Sequence, residues 1–455
     1  MIEYIVKIGY NLPINHTIFV KMHKYSGDWQ TASHMGAEHE GSSGSGGIFA
    51  KRRVGVARRN AKSKKEVDTL ENNSLLEMKR GNLMKALHRE GADYVPTMLA
   101  ASCAMVAWEG KKVTDIIDKP EEYIKAMTDV FGTMWGDANT FTGTLFTPRI
   151  EKVLEPLQNK FGPDGVTPEH IQMPMMERDE YDKLIEDPKR FVMGVLLPRK
   201  YPRMFEDREY AKEVLKTVAE DKFYALAQLM GMQSRVLTEK YGITDMVDFG
   251  GVFSNPVDSL FDYFRGFKGT LTDLRRQPDK VKAACDKLWE VYNAPKLSGT
   301  PVEFPYNCHM THIAPYLSPK QFDEIYWPYE KKWIERAAAA GTKVWIMMEG
   351  SWEKVWHHFL EVPKDSCILH VDDDDICKAK QELGHHQIIE GGLKMAEVRT
   401  GNIETIKENL KHVIDVCAPG DGFLFCTDKA WIGPGDVNQN LIDAYNFVHE
   451  YSMKK

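Results

Sequence analysis

No run of apolar residues in this 455-residue chain is long enough to cross a bilayer as a helix, which excludes a membrane span of that kind. Basic charge is not in excess either. Lys and Arg number 59 against 66 Asp and Glu, a formal net charge of −7, so no face is rich enough in cations to carry a nucleic-acid backbone. Cysteine is sparse: the seven present (103, 285, 308, 367, 377, 417 and 426) are scattered without a CxxC pair. That argues against a disulfide framework and for free thiols in a reducing cytoplasm. Neither GxGxxG nor GxxxxGK[ST] occurs, so the backbone turns that cradle phosphates are missing. A charged n-region followed by an apolar h-region and cleavage site is also lacking, which reads as cytoplasmic rather than secreted.

What is present is an ordinary enzyme-like composition, 43% hydrophobic, enough to bury one large core. The chain divides near residue 75. Before it, HMGAEHEGSSGSGG (34–47) is a Gly/Ser-rich flexible segment and 51–65 a basic run, both reading as linker and solvated tail. SHMG followed by GSSGSGG also resembles a cloning scar. Residues 1–75 are therefore read as a flexible extension and 76–455 as the folded domain.

From Leu76 onward helical and strand patterns alternate, as in a mainly parallel sheet. Strands are expected at 94–100, 137–141, 246–253, 302–309, 343–349, 367–372, 387–392 and 422–428. Helices are expected between most of them, including 77–89, 119–134, 207–241, 278–292 and the amphipathic segment SPKQFDEIYWPYEKKWIERAAAAG, in which Pro328 should kink or break the helix. Residues 145–205 are Pro-rich and read as irregular, with PDGVTPEHIQMP a hairpin excursion. Eight strands without a Gly-rich first turn favour an α/β (β/α)8 TIM-type barrel over an open doubly wound sheet.

Period-two alternation then places side chains. In KVWIMMEG (343–350), Val344, Ile346 and Met348 share the face expected to pack on outer helices, leaving Trp345, Met347 and Glu349 toward the lumen and mouth. On CILHVD, His370 and Asp372 share the inner parity with Ile368; on the last strand Leu424, Cys426 and Asp428 do. Glu349, His370, Asp372, Cys426 and Asp428 are thus expected to converge where the strands end, with His309 and His312 able to join them. Carboxylate, imidazole and thiolate groups from separate strands are what a Zn2+ site needs, with Glu349, His370 and Cys426 the candidate ligands. Alternatively, a buried carboxyl beside another acid is held protonated and serves as a proton donor. The run Asp372–Asp375 should place one acid in the site and leave the others solvated or at the next helix N-terminus. Trp108, Phe141, Trp345, Met347 and Trp431 lie near strand ends and could line an apolar substrate pocket together with His309. Lys429 could simply neutralise Glu349 as an ion pair.

The segments GVFSNPVDSLFDYFRGFKGTLTDLRRQP, APYLSPKQFDEIYWPYEKKW, WIMMEG, DICKAKQELG, IIEGGL and NIETIKENLKHVIDVCAPGDGFLF, in that order, together resemble the uroporphyrinogen decarboxylase superfamily. The resemblance runs from about Leu76 to the C-terminus and is strongest from Phe249. It implies an α/β barrel serving either decarboxylation or cobalamin-linked methyl transfer. The decarboxylases carry an Arg-rich motif after the first strand, where this chain reads PTMLAASCAMVAWEG with no arginine. The thiol-directed methyltransferases carry His-x-Cys after the fifth strand, where this chain has Met347 and Glu349. Their eighth-strand Cys falls near Lys429, with Cys426 three residues earlier. The resemblance that remains implies a methyltransferase moving a methyl group from a small methylated donor, such as a methyl ether, to the corrinoid of a separate carrier protein. Glu349 would then lead catalysis, supported by His370, Asp372, Asp428 and Lys429. The runner-up expectations are a decarboxylase of a small acid and a non-catalytic barrel that binds a corrinoid protein.

Overall fold

The computed structural model describes residues 64–140, 153–155, 157–220, 226–245, 254–293 and 306–453. Its strands are β1 (Met98–Leu99), β2 (Ala138–Asn139), β3 (Asn159–Phe161), β4 (Pro168–His170), β5 (Thr244–Asp245), β6 (Tyr306–Thr311), β7 (Lys343–Met348), β8 (Cys367–Val371), β9 (Ile388–Leu393) and β10 (Phe423–Thr427). Two parallel sheets carry the fold, in the orders β1-β2-β5 and β10-β9-β8-β7-β6. Parallel bridges from Thr97 to Phe425 and from Ala101 to Trp431 join them across β1 and β10. The combined order is β5-β2-β1-β10-β9-β8-β7-β6, a parallel arrangement of the TIM type. The strand expected at 246–253 and the first residues of the one expected at 302–309 lie outside the described residues.

Strands β7, β8 and β10 are buried along almost their whole length, because helices cover the outer face and side chains fill the inner one. The outer layer includes the helices Ile376–Leu383, Ile403–Cys417 and Gln439–Ser452, each with an apolar stripe toward the strands. Among the described residues no helix is long and apolar enough to cross a membrane.

Three sequence expectations change. The helix expected from residue 77 begins at Lys64, so the boundary near 75 falls inside one continuous helix, Lys64–His88. No Gly or Pro interrupts KKEVDTLENNSLLEMKR, and its Lys, Glu and Leu are good helix formers. Pro328 does not break its helix. The turn before it is widened to a π-turn over Phe322–Tyr326, in which the Trp327 amide reaches the Phe322 carbonyl, and the helix resumes as Trp327–Ala339. The extra residue accommodates the proline ring, and Pro328 sits in a first turn where its missing N–H costs little. Finally, 145–205 is not irregular throughout. PDGVTPEHIQMP does form the antiparallel β3–β4 hairpin, but short helices run from Arg178 to Glu206. Pro188 and Pro202 open two of them, the position proline favours.

This excursion leans on the helical segment that follows β5. Met175 and Met176 amides donate to the Phe264 carbonyl at 2.8 Å, and Gln172 Oε1 accepts from the Phe267 amide at 3.0 Å. The far end of the strands is tied by Arg89, which donates to Asp365 at 2.9 Å and to the Gln387 carbonyl at 3.0 Å, gathering the approaches to β8 and β9. A cleft of about 290 Å³, lined by Tyr94, Pro96 and Phe423 among others, opens at that N-terminal end, where barrel residues serve stability.

Candidate functional site

Strand β7 stops at Met348 and hands Glu349 to the loop. Gly350 makes the turn with φ +73°, a left-handed conformation, and a Cβ there would lie 2.9 Å from the Pro315 ring. Its amide donates to Asp372 Oδ2 at 2.9 Å, while the Trp352 indole donates to the Glu349 carbonyl at 3.1 Å. Backbone geometry therefore aims Glu349 out of the strand ends, where its side chain stays 41% exposed.

Opposite it stands His312, just past β6. Its backbone amide donates to Asp258 Oδ1 at 3.0 Å, and its Nδ1 faces both carboxylate oxygens of Asp262 at 2.9 Å. Asp258 and Asp262 lie four residues apart in the helical segment after β5, on one face. Nε2 of His312 is 3.8 Å from Glu349 Oε2. Burial alone would lower the imidazole, but the Asp262 charge and hydrogen bond outweigh it, with Glu349 and Asp258 adding, and raise it to about 10. Burial raises the Glu349 carboxyl; the His312 cation opposes that, and Asp372 and Asp262 reinforce it. The pair thus sets a persistent cation beside a carboxyl biased toward its protonated form. A gap of 3.8 Å is too long for a direct hydrogen bond, yet an oxygen about 2.8 Å from each group fits between them.

The four consecutive acids divide their work. Asp372 binds the Gly350 amide and pairs with Lys429, which also lies 3.5 Å from the exposed Asp373. Asp374 is buried and accepts from the Ser351 hydroxyl at 2.6 Å and from the Trp352 amide, so it pins the loop rather than being solvated as expected. Asp375 caps the helix Ile376–Leu383. Lys429 is therefore spent on Asp372 and Asp373, and the expected pairing with Glu349 is not formed.

One layer deeper, a sealed cluster occupies the lumen. The register places Met347 beside His370, His370 beside Glu390 and Glu390 beside Leu424, so these side chains share the inner face. His370 Nδ1 lies 2.8 Å from Glu390 Oε1, its Nε2 donates to the Asp428 carbonyl at 3.0 Å, and the Trp345 indole donates to Glu390 Oε1 at 3.0 Å. Cys426 completes the group, with the ligand atoms of His370, Glu390 and Cys426 all within 4.8 Å of one another. The metal set read from the sequence, Glu349, His370 and Cys426, is corrected here. Glu349 stays at the rim because it lies beyond the strand, and Glu390 on β9 takes its place. The Asp428 carboxylate turns aside and accepts from the Met395 amide at 2.8 Å.

His309 is a second correction. Because β6 runs on to Thr311, His309 shares parity with Thr311 and faces outward. There it is fully buried, 2.8 Å from Glu330 and 3.3 Å from Asp258. Burial opposes its protonation, but those two carboxylates prevail and raise it to about 9. Of the expected aromatic lining, Trp345 and Met347 do face the lumen. Trp431 faces the outer layer instead, bonded to Thr427 Oγ1 at 2.9 Å and packed edge-on against Tyr445. Trp108 stands exposed on the short helix Ala104–Trp108, and Phe141 lies outside the described residues.

Two members of this arrangement were missed. Glu390 was readable as a lone acid in the apolar strand IIEGGL, had the period-two argument been carried onto that strand. Asp262 shares a helix face with Asp258, but no local pattern ties it to a histidine fifty residues later.

Comparison with known proteins agrees with the layout. Residues 235–430 match the family model described as uroporphyrinogen decarboxylase (URO-D). Among solved structures, a methyltransferase from Methanosarcina mazei superposes with a TM-score of 0.52 at 14% identity, over 82% of this chain and 98% of that one. At that identity the likeness speaks for a TIM-type α/β fold. No curated protein matches the chain in sequence.

Proposed function

We propose that this chain, a member of the uroporphyrinogen decarboxylase superfamily, moves a methyl group from a small methyl ether to the corrinoid of a separate carrier protein. The observation that carries the reading is the His312–Glu349 pair at the open strand ends, 3.8 Å apart and both part-exposed. Breaking a methyl–oxygen bond sends its electron pair to the oxygen, which is a poor leaving group until that charge is met. The carrier's reduced corrinoid would supply the nucleophile that takes the methyl group.

This chain's residues supply the rest. Asp262 keeps His312 cationic and fixes its ring, so that Nε2–H points at the space beside Glu349. The imidazolium stabilises negative charge as it grows on the ether oxygen, and Glu349 delivers the proton that converts the leaving group to an alcohol or phenol. Asp372, held by Lys429, adds negative charge nearby and helps keep that proton on Glu349. A donor seated between side chains exposed by 41% and 33% can be reached from outside by a second protein. The non-catalytic alternative drew on a Glu349–Lys429 ion pair, which is not formed.

The direct test incubates the protein with a reduced corrinoid protein and a panel of aliphatic and aromatic methyl ethers while following the Co(I) absorbance. Donor-dependent decay supports the reading. An unchanged spectrum across the whole panel, with a carrier shown to accept methyl groups chemically, overturns it.

A further inference from the structure

We propose that His370, Glu390 and Cys426 form a binding site for one divalent transition-metal ion of the zinc class in the barrel lumen. Their ligand atoms come from three adjacent strands and lie within 4.8 Å of one another, and all three residues are at most 1% exposed. A tetrahedral ion with bonds of about 2.0–2.3 Å would draw such atoms to roughly 3.5 Å apart, so the site closes with shifts on the order of 1 Å. A thiolate, an imidazole and a carboxylate form a borderline-soft set that suits zinc and disfavours calcium or magnesium.

Two further observations point to an ion. The first is the tautomer. The Asp428 carbonyl can only accept, so the 3.0 Å contact requires a proton on His370 Nε2. That leaves Nδ1 as the nitrogen facing Glu390 and Cys426, and a metal-bound histidine commonly donates its other N–H to a backbone carbonyl in this way. The second is an orphan. Glu390 Oε1 is occupied by the Trp345 indole and by His370, whereas Glu390 Oε2 is buried with no hydrogen-bond partner among the described residues. A carboxylate oxygen left so in a sealed lumen is a position a cation would fill.

This site is read without any donor or corrinoid, so its failure and that of methyl transfer are separable. The protein is freed of metal with a chelator and titrated with Zn(II), and separately with Co(II). The expected results are one ion per chain and a near-ultraviolet thiolate-to-cobalt charge-transfer band. Cys426→Ser should abolish the band, and Trp345→Phe, which leaves all three ligands, should weaken binding by about ten- to a hundredfold. Absence of stoichiometric uptake by the unmodified protein overturns the proposal whatever the variants do, and so does a band that persists in Cys426→Ser.

Discussion

Both carboxylate oxygens of Asp262 lie 2.9 Å from Nδ1 of His312. The contact fixes the ring, its charge state and the direction of its free edge at once. Asp262→Asn should therefore lower the His312 pKa from about 10 by roughly one to three pH units. Imidazole proton resonances followed through a pH titration would show this. A His312 that titrates unchanged in the variant would contradict the pairing.

Glu349→Gln keeps the shape of the side chain and removes the transferable proton. On methyl ethers it should cost on the order of a hundredfold or more in kcat. The loss should shrink for donors whose leaving group needs no protonation. In the unmodified protein the rate should fall as pH rises through the Glu349 pKa, which burial places above the ordinary glutamate value. Equal losses on all donors would assign Glu349 to binding instead.

His309 makes stability depend on pH. Its folded pKa of about 9 exceeds the ordinary histidine value of 6.5, so the folded state binds its proton more tightly than the unfolded state. The resulting stabilisation is complete below pH 6.5 and is lost progressively as pH rises to about 9. For this fully buried group the difference is on the order of 3 kcal/mol. Urea unfolding at successive pH values would display the decline, and a flat profile between those limits would refute it.

Gly350→Ala forces a Cβ to within 2.9 Å of Pro315 at a backbone angle that L-residues rarely adopt. A loss of about 1–2 kcal/mol is expected in thermal or denaturant unfolding. Methyl transfer should fall further than stability, because the same turn aims Glu349. A variant as stable and as active as the parent would show that the loop tolerates another path.

Much of this was legible in the chain because parallel strands buried on both faces leave strong marks. KVWIMMEG and CILHV were readable as strands, and counting by twos put Trp345, Met347, His370 and Cys426 on the inner face, where they lie. His309 was expected at the mouth because the strand was ended there, two residues early; inside the longer β6 it pairs with Ile346 and takes the outward parity. Burial alone also did not mark the role of an acid. Asp374 sits in a run that looks solvated, yet it is consumed by loop amides and hydroxyls. Pairings across long sequence separations, such as Asp262 with His312, leave no local trace, because they depend on which strand ends the fold brings together.

The bridge between Thr97 and Phe425 has a consequence for biosynthesis. The Phe425 amide bonds the Pro96 carbonyl at 2.9 Å, and the Tyr445 hydroxyl bonds the Met98 carbonyl at 2.8 Å. One flank of β1 therefore waits for residues more than three hundred positions downstream. On the ribosome, β1 emerges with that edge bare and cannot pair it until β10 (Phe423–Thr427) has been translated. During that interval the nascent chain presents an open strand edge, the kind of surface that chaperones shield and that aggregation exploits.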